Sequence, residues 1–105
     1  MKKFTSIITV TLPSNTAYDE WSKIQDKFFF EDKRVVTYLK ENGMTSWTLT
    51  KTDDVEPIKV VAIMEYENEN SFQKCQNIFS KFMPHIRNTL YKSSVIRGNV
   101  IYDII

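Results

Sequence analysis

The chain has 105 residues, 42% of them hydrophobic and 13% aromatic, which suits a single core packed with rings, and one domain spanning 1–105 is expected. A formal charge of +1, with acids and bases interspersed, leaves no basic stripe to neutralise phosphates and argues against a nucleic-acid partner. One cysteine and one histidine exclude an internal disulfide and a four-ligand zinc site, so no metal or cofactor is expected and a reducing cytoplasm fits.

The start, Met1-Lys2-Lys3 before Phe4, mimics a short signal peptide. Threonines and a serine interrupt its apolar stretch, and no small-residue cleavage site follows Pro13, so an export signal is not expected. No run approaches the ~20 apolar residues of a membrane span. Residues 3–12 alternate, with Phe4, Ser6, Ile8, Val10 and Leu12 on one face and Thr5, Ile7, Thr9 and Thr11 on the other, which predicts a first strand. Thr16, followed by Asp19 and Glu20, reads as a helix cap with acids in the first turn. Trp21, Ile24, Phe28, Val35 and Leu39 then recur at helical spacings to about Asn42, and Phe28-Phe29-Phe30 with Glu31-Asp32 predicts a kink or break. Gly43 is ordinary punctuation for the end of a helix.

Met44–Lys51 alternates again, with Trp47 and Leu49 opposed to Ser46, Thr48 and Thr50. The acidic turn Asp53-Asp54-Val55-Glu56-Pro57 joins it to a third strand, Ile58–Tyr66, as a hairpin. Asn68 or Asn70 can cap a second helix with the stripe Phe72, Cys75, Ile78, Phe79 and Phe82. Pro84 should end or kink that helix and suits the first turn of a short one carrying Ile86 and Leu90. Residues 93–105 read as a long last strand, with Gly98 as a bulge or a close approach.

The order βαββαβ predicts an α+β, ferredoxin-like fold: a four-stranded antiparallel sheet with the helices on one face. The other face would carry Ile7, Val61, Ile63 and Val95 or Ile96, an apolar surface that a second copy would cover, so a homodimer with its sheets paired face to face is the physical expectation.

From Gly43 through Cys75 the chain resembles the antibiotic-biosynthesis-monooxygenase-like branch of the dimeric α/β barrel superfamily. The resemblance lies in a helix ending in Gly, an aromatic on the next strand, and an acidic turn with Pro. A core strand ending in an aromatic follows, then the corner Tyr66-Glu67-Asn68-Glu69-Asn70-Ser71-Phe72. It implies a pocket between sheet and helices for a small hydrophobic or aromatic molecule and, in an enzyme, cofactor-free oxidation of an electron-rich aromatic substrate. The family's frequent Glu two residues before the core-strand aromatic is Met64 here, with the acid moved to Glu65 and so to the opposite face. The histidines often found on the second helix fall at Cys75 and Ser80. The haem-degrading branch is similar in size and topology, but its strand-one Asn is absent, Tyr66 stands in place of its Trp, and His85 lies beyond Pro84. Neither catalytic set carries over.

Tyr66 and His85 are the catalytic candidates, each as one orienting polar group, although an exposed or capping histidine is the ordinary reading of His85. Trp47, Tyr66, Met64 and Phe72 are the ligand-binding candidates; for Trp47, plain packing is the competing reading. Cys75 on the apolar stripe reads as core. Arg97, Tyr102 and Asp103 lie on the last strand, where surface or dimer contacts compete with a ligand-orienting role. The acidic clusters around Asp53 and Glu67 lack the spacing of a calcium loop. Two alternatives stand beside the ligand reading: a structural or regulatory dimer whose own rings fill the core, and haem binding through His85.

Overall fold

A computed structural model describes residues 2–87, 89 and 91–105. The elements run β1 (Phe4–Leu12), α1 (Asn15–Gln25), a π-helical turn (Asp26–Phe30), α2 (Lys33–Glu41), β2 (Met44–Lys51), β3 (Ile58–Tyr66), α3 (Glu69–Ile86) and β4 (Lys92–Asn99). The strands form one antiparallel sheet in the order β2-β3-β1-β4. The expected ferredoxin-like α+β architecture is present.

The alternation in β1 sorts as the sequence indicates, with Phe4, Ser6, Val10 and Leu12 buried under the helices. On β3 the buried set is Ile58, Val60, Ala62, Met64 and Tyr66. The cap of α1 is Ser14 rather than Thr16: its Oγ accepts from the Ala17 amide at 3.1 Å, so the helix starts two residues earlier than expected. The expected break falls at Asp26–Phe30, where the Glu31 amide donates to the Asp26 carbonyl at 2.9 Å, five residues back. Asp32 then caps α2 through the Arg34 amide. Gly43 closes α2 at φ +100°, a conformation that only glycine adopts without strain. Any Cβ there would overlap Ser71 on α3.

Three expectations are corrected. Of the two possible caps, Asn68 starts α3, and the helix continues through Pro84 to Ile86. Pro84 is exposed and only two residues from the helix end, so its missing amide frees one carbonyl, that of exposed Ser80, which water can satisfy. Ile86 is therefore a buried residue of α3 itself, while Leu90 lies outside the described residues. Strand β4 stops at Asn99, and Gly98 pairs in register with Thr5 with no atom near its missing Cβ, so it is neither a bulge nor a close approach. The bulge is in β2 between Met44 and Ser46, and it returns both Met44 and Trp47 to the helix face, opposite Tyr66 and Met64.

On the open face, the register aligns Thr48, Ile63, Ile7 and Ile96 in one row across all four strands, with Thr50, Val61, Thr9 and Ser94 beside it. Ile96 is 73% exposed, and Val95, opposite Ile8, belongs to the helix face instead. Residues 100–105 carry further apolar surface in Ile101, Tyr102, Ile104 and Ile105.

Candidate functional site

Between the helix face of the sheet and the helices lies a cavity of about 230 Å³. Its floor comes from alternate residues of all four strands, fixed by register: Trp47, Met64, Ser6 and Arg97 form one row, and Leu49, Ala62, Ile8 and Val95 the next. Phe72, Phe79 and Phe82 of α3 close the top, with Trp21 and Gln25 of α1 at one end. The exposed lining residues fall chiefly on α3 (Ser80, Met83) and β4 (Ser93, Val95, Arg97), so the cavity opens between those two elements, where the outermost strand carries no helix.

The Phe triplet is explained by this wall. Phe29 is 1% exposed and sits among Phe82 (ring centroids 4.7 Å), Phe28 (4.9 Å), Trp47 (5.0 Å, edge-on) and Phe79 (5.4 Å). The π-helical turn lets three consecutive rings diverge: Phe29 inward, Phe28 against Phe82 and His85, and Phe30 outward beside Trp47.

Two polar atoms of the lining are buried without a hydrogen-bond partner among the described residues, Ser6 Oγ and Trp47 Nε1. Buried hydroxyls and indole N–H groups are nearly always paired, so two orphans on residues that line one cavity are candidates for a partner held within it. The Tyr66 hydroxyl makes only a long contact of 3.8 Å to Met64 Sδ, a weak acceptor. Burial pushes the Tyr66 phenol well above the ordinary tyrosine value, nearby Cys75 adds to the rise, and the Arg97 charge opposes it. The Arg97 guanidinium lies 4.8 Å over the Phe72 ring and is in no ion pair among the described residues.

The structure brings Trp47, Met64, Tyr66 and Phe72 together around this one cavity. His85 is not among them: it is exposed on α3, packed on Phe28 at 5.2 Å, in a shallow surface depression with Ile24 and Asp32. Cys75 is core, fully buried, with its thiol directed to the Leu39 carbonyl at 3.6 Å and its ionisation suppressed by burial. Asp103 pairs with Lys3 at 2.8 Å, away from the cavity. No group of three or more His, Cys, Asp or Glu side chains is placed to hold a metal among the described residues. No helix among them is long and apolar enough to cross a membrane. Sequence reasoning missed Ser6 and Gln25. A lone hydroxyl on the otherwise apolar inward face of β1 was the available signal for Ser6; nothing distinguished Gln25.

No family model and no curated protein matches the chain. Solved structures do. A dimeric ferredoxin-like protein from an uncultured marine organism aligns over 98% of both chains, with a TM-score of 0.81 and 21% identity. The fold is ferredoxin-like. A second dimeric ferredoxin-like protein of marine origin aligns over 99% of this chain and 100% of its own, at TM-score 0.78 and 17% identity. SnoaB, a cofactor-independent oxygenase from Streptomyces nogalater, shares the fold over 100% of this chain and 97% of its own, at TM-score 0.65 and 15% identity. The likeness extends to antibiotic-biosynthesis-monooxygenase-type proteins, among them one from Bacillus cereus at TM-score 0.62, 13% identity, and 100% and 99% coverage.

Proposed function

We propose that the chain is a small cytoplasmic homodimer that binds a small hydrophobic or aromatic molecule in the cavity between sheet and helices. The observation that carries this reading is an aromatic-walled space of about 230 Å³ holding two orphaned buried donors, Ser6 Oγ and Trp47 Nε1. An apolar cavity of about 150 Å³ takes benzene, so the volume suits a compound of one or two rings, though it lies just below the ~300 Å³ where ligand pockets usually begin. Trp47, Met64, Tyr66 and Phe72 line it and are the proposed contacts. The dimer is supported by the apolar row through Ile63, Ile7 and Ile96 and by two dimeric ferredoxin-like proteins that share the fold.

An enzymatic version is favoured by the fold shared with a cofactor-independent oxygenase. Tyr66 is then the orienting group, since the residue lines the cavity and its hydroxyl lacks a strong partner, whereas His85 stands outside. A structural dimer with a filled core is the competing reading, and the unfilled volume weighs against it. Haem binding through His85 would need that side chain at the cavity.

Native mass spectrometry on freshly purified protein tests the reading. A species at twice the 12.4 kDa chain mass is expected, carrying or taking up a one- or two-ring compound that Ala62→Phe, which fills the floor, excludes. A 12.4 kDa monomer at micromolar concentration would overturn the dimer, and uptake unaffected by Ala62→Phe would overturn the cavity. If Tyr66→Phe leaves turnover of every responsive substrate unchanged, the enzymatic version loses its residue.

A further inference from the structure

The cavity's polar lining has a bias of kind. Among the described residues no aspartate, glutamate, lysine or histidine lines it, and the one charged side chain is Arg97. Of its two buried orphans, Trp47 Nε1–H can only donate, and the Ser6 hydroxyl is free to do so. Register places Ser6 of β1 directly opposite Arg97 of β4, so their Cβ atoms are about 5 Å apart on the same face. Arg97 rests on Phe72 at the open side, with no acidic partner among the described residues, and its charge reaches far enough inward to act on Tyr66. The other polar side chains of the lining, Gln25 and Gln76 among them, are neutral, so a cation entering this site would meet the Arg97 charge with no acid among the described residues to offset it. A neutral hydrocarbon would leave Ser6 and Trp47 unpaired.

We infer that the cavity selects an apolar monocarboxylate of one or two rings, its carboxylate held by Arg97 and Ser6 and its body lying across Met64 and Ala62 toward Trp47. The inference rests on the ligand-binding reading above and narrows it to a chemical class. Carboxylate is favoured over phenol because a carboxyl group is ionised at neutral pH, whereas a phenol, titrating near pH 10, is not. A bidentate guanidinium–carboxylate pair is also the geometry to which arginine is best suited. Trp47, at the far end of the same row, lies two strands from Ser6, about 10 Å, and so serves a second acceptor on the ring system rather than the carboxylate.

The test is isothermal titration at pH 7 with three probes of one shape: 2-naphthoate, 2-naphthamide and 2-naphthylmethylammonium. Charge-assisted hydrogen bonds should make naphthoate bind at least about tenfold more tightly than the amide, with no binding of the ammonium. Arg97→Gln should bring naphthoate down to the level of the amide, and Ser6→Ala should narrow the gap. Arg97 is an exposed edge-strand side chain, so folding is not at stake in its variant, and circular dichroism checks this. If naphthamide binds as well as naphthoate, or the preference survives Arg97→Gln, the carboxylate assignment is overturned while the cavity reading stands. If none of the three binds, both fall.

Discussion

Replacing Ser6 by alanine should make the protein more stable and the site worse. Ser6 is 1% exposed, and its Oγ has no hydrogen-bond partner among the described residues, so the folded state carries a desolvated hydroxyl. Leaving such a group unpaired costs about 1–3 kcal/mol. Water entering the adjoining cavity offsets part of that, which puts the expected gain of Ser6→Ala near the low end, about 1 kcal/mol. For a domain of this size that corresponds to a rise of about 4–6 °C in Tm. The assay is urea unfolding of both proteins at one matched concentration, because a dimer's apparent stability varies with concentration. The midpoint should rise with an unchanged slope, while affinity for an apolar carboxylate falls. A loss of 1 kcal/mol or more would show that the hydroxyl is paired within the fold and would remove the main argument for a ligand at that position.

Phe29→Ala should destabilise by about 3–5 kcal/mol, as for other large buried rings, whereas Phe30→Ala, at a side chain 42% exposed, should cost less than about 1 kcal/mol; chemical denaturation separates the two. Gly43→Ala combines a left-handed backbone with an overlap on Ser71 and should cost about 2 kcal/mol or more, while Asn, which tolerates that backbone better, is no remedy because it also brings a Cβ. Because the folded-state value of Tyr66 is raised above 10.0, its contribution to stability is complete below that pH and is lost as pH rises toward the folded value. Unfolding between about pH 9 and 11 should therefore show an alkaline decline that Tyr66→Phe makes shallower. Ile63→Glu, which puts a charge at the centre of the open sheet face, should yield monomers by light scattering with the helix-face core intact.

Strand identity and facing were readable because period two is strict: the inward sets of β1 and β3 follow directly from alternation. Trp47, Met64, Tyr66 and Phe72 were legible as a group for the same reason, being inward residues on elements that meet over the sheet. What could not be read depended on contacts far apart in sequence. The row from Trp47 through Ser6 to Arg97 exists only because β1 lies between β3 and β4, and the bulge at Met44–Ser46 sets its phase. The Phe triplet broke the helical period, and only the widened turn shows why three adjacent rings are tolerated. Pro84 misled because a proline near the end of a helix, on its solvent side, removes little. Ser6 was visible as an inward serine, but its lack of a partner is a three-dimensional fact.

If a small apolar molecule enters the space between Trp47 and Ser6, the Trp47 indole will sense it. The most direct measurement is the Trp47 indole N–H resonance, assigned with Trp47→Phe, during titration of ¹⁵N-labelled protein with 2-naphthoate and 2-naphthamide. This resonance should move in a saturable manner, at concentrations where resonances of the outward-facing Thr9 and Val61 stay fixed. An indole signal that stays still for both probes up to the millimolar range would contradict it, and the cavity would then be packing space alone.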